Sequence, residues 1–267
     1  TTNENSGALR GYTGVAYRNI GGWGRGLSAR VEGNYNFADV KYLESKIILG
    51  GVEPYLFDTR ARLRLNITRS RTISDINIKK VTELNLGVLS VEQDFTSHVT
   101  GIWDLWSVAT YIDHGITPED ELRWGYKYES LVIGSTGPSL DIDYRDNIFN
   151  PTRGSFSKFS LEYASAFLSN NNVDDFVRLT GQSTLYVPVW PRKGIVFAQS
   201  VSGGYVKDIQ GGGVGVPFDK KGFTLGGRTT IRGFGSGEFF PSTESGSVQY
   251  IGSAYRFNSN VSYELVK

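Results

Sequence analysis

Polar and apolar side chains alternate, in segments of about ten residues, along the whole of this 267-residue chain. Alternation of period two is the mark of a β-strand with one polar and one apolar face. Arg60, Arg62 and Arg64 alternate with Ala61, Leu63 and Leu65. Leu27, Ala29, Val31, Tyr35 and Phe37 oppose Ser28, Arg30, Glu32, Asn34 and Asn36. Taken alone, the arginine row suits a soluble sheet with its polar face in water. Repeated through the chain, the pattern is that of a transmembrane β-barrel, in which the polar row faces a wet lumen. An arginine on the lipid side near the midplane costs roughly 2–4 kcal/mol. No apolar run is long enough for a transmembrane helix, and a mean hydropathy of −0.26 is compatible with strands that hide polar groups inside.

Turn signals punctuate the alternation. Asn19 to Gly26 is a short turn carrying Trp23, and a strand over 43–53 is closed by Pro54 with Tyr55 and Phe57 beside it. Strands over 82–93 and 102–113 flank Thr96–Val99, and Trp103, Trp106 and Tyr111 fit an aromatic belt at the membrane interface. Residues 116–137 are read as a long loop, a strand over Leu122–Ile133 being the alternative. The loop keeps short turns and long loops on opposite sides. Further strands follow around Phe159–Phe167, Arg178–Val187 and 195–207, and the last places Arg256, Asn258, Asn260, Ser262 and Glu264 on one face. The formal charge of +1 gives no reason to expect a nucleic-acid partner. With no cysteine there is neither a disulfide nor a thiolate metal site. His98 and His114 are the only histidines, no serine sits in a nucleophile elbow, and the glycines at 211–215 lack a following Gly-Lys-Ser/Thr. Neither an enzyme nor a cofactor or metal site is expected.

Two stretches stand apart. The first is Asp141–Gly154. In it Asp143 and Arg145 share a face, Asp146 and Asn147 follow, and Pro151, Thr152 and Gly154 make a tight turn. Its paired aspartates suit acid–base chemistry or calcium, but the adjacent arginine favours a salt-bridged strand end. The second is Phe223–Phe240, where Phe223, Leu225, Gly226, Gly227, Ile231, Arg232, Gly233 and Phe234 frame one cation with glycines and aromatics. Such a loop reads as folded back to deliver a single guanidinium. An arginine buried there needs a carboxylate. Taken alone, the stretch suits an exposed glycine-rich loop with an unrelated terminal glutamate. Beside the Asp141–Gly154 stretch, Glu264, on the lumenal face of the last strand, is the expected partner of Arg232.

The pattern F-x-L-G-G-x-x-x-[IV]-R-G-[FY] at 223–234, with D-x-R-D-N-x-x-x-P-T-x-G at 143–154, resembles the BamA/TamA family of outer-membrane protein assembly and translocation barrels. The resemblance implies an all-β, antiparallel transmembrane barrel that is incomplete in this chain. Residues 1–267 would then form one partial barrel domain, roughly strands 2–12 of 16, without the periplasmic domains or the lateral seam, and residue 1 would not be the natural start. It implies an outer-membrane location, bacterial rather than organellar, and a periplasmic side for the Asp146 turn. The implied partners are the lipid bilayer, unfolded outer-membrane clients and periplasmic or lipoprotein accessory subunits. The implied activity is insertion of client barrels, with a polypeptide secretion pore or a passive porin as alternatives.

Overall fold

The computed structural model describes residues 8–36, 42–75, 80–115, 130–169, 175–191, 194–209, 216–223 and 252–263, the last span by its backbone alone. These residues form one antiparallel sheet of eleven strands, each hydrogen-bonded to its neighbours in sequence. The strands are β1 (Ala8–Ile20), β2 (Arg25–Asn36), β3 (Tyr42–Glu53), β4 (Arg62–Asp75), β5 (Lys80–Thr96), β6 (Val99–His114), β7 (Ser130–Asp143), β8 (Gly154–Ala164), β9 (Phe176–Trp190), β10 (Ile195–Asp208) and β11 (Gly252–Tyr263). Among the described residues β1 does not pair with β11, so the sheet is an open, incomplete barrel wall. One helical turn, α1 (Phe218–Lys221), follows β10.

Short connections gather at one end of the wall, which we call the turn end. The alternate connections, from the four residues between β4 and β5 to the long stretch between β10 and β11, join strands at the other, the loop end. Register rows climb away from the turn end as strand number rises. The row Gly26–Val52–Arg64–Ser90–Asp104 starts beside the turn on β2 and lies well inside β6. That stagger is the shear required of a closing barrel.

Residues opposite one another in register share a face, and the two faces differ as the alternation predicts. Leu27, Val31, Leu49, Leu65, Ile67, Phe159, Leu161 and Leu179 stand exposed on the outer face, with Trp23, Phe57, Phe95, Trp103 and Trp190 exposed toward the turn end. On the inner face Arg62 donates to Glu92 at 3.2 Å and to Asp94 at 2.6 and 2.9 Å. Arg64 pairs with the same Glu92 at 2.8 Å. Arg10 and Arg30 meet Glu32 at 3.1 and 2.8 Å. Lumenal charge is thus compensated strand to strand.

Two expectations need correction. Residues 130–137 are not loop but the first part of β7; 116–129 lie outside the described residues. The glycines and proline of Gly134–Pro138 resemble turn chemistry, yet here they permit close approach. A Cβ on Gly137 would lie 1.9 Å from the Leu161 carbonyl oxygen of β8. The strand count, and with it the sidedness argument, is unchanged because the strand whose end the sequence places at Asp143 and Arg145 is this same β7.

Tyr111 is not in the aromatic belt. A bulge in β6 between Asp104 and Ser107 turns two consecutive side chains, Leu105 and Trp106, outward. Beyond it the parity reverses, so Ala109, Tyr111 and Asp113 face inward. Tyr111 packs against the buried cluster Leu131, Ile133, Ala164, Phe176 and Val206.

The outer face being lipid-facing, Leu49→Arg is expected to destabilise the folded barrel by about 2–4 kcal/mol, while Leu49→Phe stays close to wild type. Urea titration of the barrel in lipid vesicles, read by tryptophan fluorescence, measures both.

Candidate functional site

The first site is the turn from β7 to β8. Arg145 sends its guanidinium back to Asp143, with Nε 2.8 Å and Nη2 2.6 Å from the carboxylate, and its own N–H adds a third bond at 3.1 Å. The guanidinium lies 4.7 Å over the ring of Phe156, and Tyr144 stacks on His98 with centroids 4.7 Å apart. Asp143 is therefore an ion-paired strand end.

Asp146 organises the rest of the turn. Its Oδ1 accepts the N–H groups of Asn147 and Thr152, both at 2.9 Å, and of Arg153 at 3.2 Å, while the Thr152 hydroxyl donates to Oδ2. Asn147 accepts from the N–H groups of Phe149 and Asn150 at 2.8 and 3.1 Å. Pro151 fixes φ just before Thr152. Gly154 has φ of +102° and no room for a Cβ, which would lie 2.1 Å from the Tyr144 carbonyl oxygen. The Thr152 hydroxyl, with the N–H groups behind it, holds the Asp146 carboxyl down at about 2.

The second site begins where the chain leaves β10. Residues 216–223 fold back over the inner face, and α1 sends its two lysines to different strands. Lys220 reaches Asp113 of β6 at 2.8 Å, with side chains only 10% and 4% exposed. Its ammonium lies 5.2 Å over the Tyr111 ring. Asp113 also accepts the Thr82 hydroxyl at 2.6 Å. Lys221 donates to Glu162 of β8, which Arg178 of β9 approaches at 3.8 Å. Arg178 in turn donates to the Lys221 carbonyl at 3.1 Å and lies 4.7 Å over the ring of Phe223. The Phe223 ring occupies the space a side chain on Gly204 would fill, since a Cβ there would meet it at 2.1 Å. Val216 and Phe223 complete the buried cluster. Three strands therefore hold this segment through charge, and the cluster seals it with apolar packing.

Phe223 is the only residue of the Arg232 motif among those described. Leu225, Gly226, Gly227, Ile231, Arg232, Gly233 and Phe234 lie outside them, as does Glu264, which follows the last residue of β11. Sequence reasoning missed Lys220, Lys221 and Asp113. The signal for the lysines is the Lys-Lys pair just before Gly222 and Phe223, in a stretch otherwise glycine-rich and aromatic. Among the described residues no three His, Cys, Asp or Glu side chains are placed to hold a metal.

The Omp85 superfamily domain matches residues 22–264. The chain belongs to the Omp85 superfamily. It is therefore an outer-membrane β-barrel protein, the membership its two motifs imply. The wall superposes on BamA from Haemophilus ducreyi lacking POTRA domains 1–3, with a TM-score of 0.68 at 16% identity. That match covers 87% of this chain and 44% of the BamA chain, so the described wall spans less than half of that protein. No curated protein matches the sequence.

Two outcomes are expected. Lys220→Ala strands Asp113 in a buried place and should weaken the fold by about 3–5 kcal/mol. The apolar pair Asp113→Leu with Lys220→Met restores most of that, as a double-mutant cycle in urea would show. The Asp146 carboxyl, depressed from its ordinary 3.8 to about 2, stabilises the turn fully above pH 4 and progressively less as pH falls toward 2. Hydrogen exchange at the Thr152 and Arg153 amides should rise in that window, and in Asp146→Asn this acid-dependent rise should vanish.

Proposed function

We propose that this barrel assembles other outer-membrane β-barrel proteins, acting without covalent chemistry. Client strands pair with the edges of a weakly closed lateral seam, so that backbone groups are satisfied strand by strand. The observation that carries this reading is the latched segment at 216–223. It begins the Arg232 motif on the inner wall, held by Lys220–Asp113 and Lys221–Glu162. A lumen occupied by its own anchored loop is a poor passive pore, which weighs against a porin.

On this reading Arg232 continues inward from Phe223 and pairs with Glu264, on the lumenal face of the last strand, next in the chain after the last residue of β11. The 143–154 turn marks the periplasmic end. The rest of the barrel and the periplasmic domains belong to a longer bacterial protein of which 1–267 form a barrel part. Its partners are the bilayer, unfolded client barrels and periplasmic or lipoprotein subunits. The second reading, a secretion pore, is favoured by the compensated charge of the inner wall around Arg62, Glu92 and Asp94. An extended polypeptide slides past such a surface without a fixed partner.

Depletion in the source organism distinguishes the readings. General loss of outer-membrane barrels is expected for an assembly factor. Loss of a single exported protein would overturn it in favour of secretion. In planar bilayers the full-length protein should conduct little and Arg232→Ala markedly more; wide constitutive conductance in the unmutated protein would sink the plugged lumen.

A further inference from the structure

The outer face carries one charged cluster that alternation alone makes conspicuous. Along β4, Leu63, Leu65 and Ile67 point outward and Arg62 and Arg64 inward, so continued alternation puts Arg69 and Arg71 outward. The register agrees. Arg69 lies opposite Ile47 of β3 and Asn85 of β5, and Arg71 opposite Ser45 and Glu83. Glu83 lies in turn opposite Ile112 of β6, and His114 opposite Val81, all on the same face.

The Glu83 carboxylate sits 3.8 Å from Arg69 Nη2, from Arg71 Nε and from His114 Nε2. One carboxylate is thus shared loosely among three nitrogen groups. The inward Arg62 and Arg64 instead meet acids at 2.6–3.2 Å. The outward guanidiniums also remain open, their side chains 68% and 58% exposed. Toward the turn end the same surface is apolar through Ile47, Leu49, Leu65 and Ile67, and on the far side Ile73 and Val81 frame the cluster.

An outward arginine is costly at the bilayer midplane and nearly free at the headgroups. Two residues along a strand advance by only about 6.6 Å, so long side chains beyond Ile67 snorkel toward the interface. There the pair presents two planar forks suited to a phosphate, with only half a neutralising charge each from Glu83. We propose that Arg69 and Arg71, with His114 beside them, bind the phosphate of an anionic lipid headgroup in the leaflet at the loop end, its acyl chains lying along Ile47, Leu49, Leu65 and Ile67. The apolar rows continuous with the cluster select a lipid over free phosphate.

The test is native mass spectrometry of the full-length protein in detergent, titrated with short-chain phosphatidic acid. Arg69→Gln/Arg71→Gln should bind about thirtyfold more weakly, at roughly tenfold for each 1.4 kcal/mol and about 1 kcal/mol for each basic residue near a membrane surface. Arg69→Lys/Arg71→Lys should recover part of the affinity, which separates loss of the site from loss of the fold. The inward variant Arg64→Gln should bind as wild type. Equal affinity in the glutamine double variant overturns the proposal. Full competition by inorganic phosphate at equal concentration also overturns it, because the acyl chains would then contribute nothing.

Discussion

In hydrocarbon no water is available to satisfy an N–H or C=O group, so every backbone polar group in the membrane must find its partner in the next strand. The uninterrupted ladder from β1 to β11 follows from that demand. Strands of 11 to 17 residues match or exceed the roughly nine to eleven needed to cross, so most of the wall extends past the bilayer and places charged side chains at its ends. Once the ladder is fixed, alternation assigns each residue to lipid or lumen, and the remaining chemistry consists of compensating what falls inside.

Compensation takes two forms. Across β1–β6 it is local, with arginines meeting acids on adjacent strands near open water. Such exposed pairs contribute little to stability individually and leave a surface wetted throughout. Around β6–β10 it is long-range: α1 brings its lysines from a different part of the chain, and they meet Asp113 and Glu162 beside an apolar cluster. There the charges are shielded, and the pairing specifies where a loop goes. One half of the inner wall is a wetted, charge-compensated lining and the other a socket for α1.

Much of this was legible in the residues themselves. The inward Arg62–Arg64 row, the turns at Trp23 and Pro54, the Asp143–Arg145 pair and the superfamily all follow from alternation and two motifs, because strand period and turn chemistry are local properties. What escaped depends on neighbours distant in sequence. Gly134–Pro138 reads as a turn until β8 is seen pressing against Gly137. Tyr111 reads as a girdle aromatic because parity counted from Trp103 ignores a bulge, which leaves no residue signature in Asp104–Ser107. The partners of Lys220 and Lys221 lie on strands more than fifty residues upstream, a distance no spacing rule spans.

The β6 bulge has a consequence for what the sequence can tolerate. By adding one residue to the outward side at Leu105 and Trp106, it sets the phase of everything that follows on that strand. Deleting one residue there would turn Asp113 toward lipid and His114 into the socket. The latched segment would lose one of its two ion-pair partners even though every residue that contacts it remained in the chain. Insertions and deletions are ordinarily absorbed by loops, but here the length of a segment of β6 determines whether Lys220 has anything to hold. Where the in-folded loop rests is thus encoded as a count along β6 as much as by the identity of Lys220.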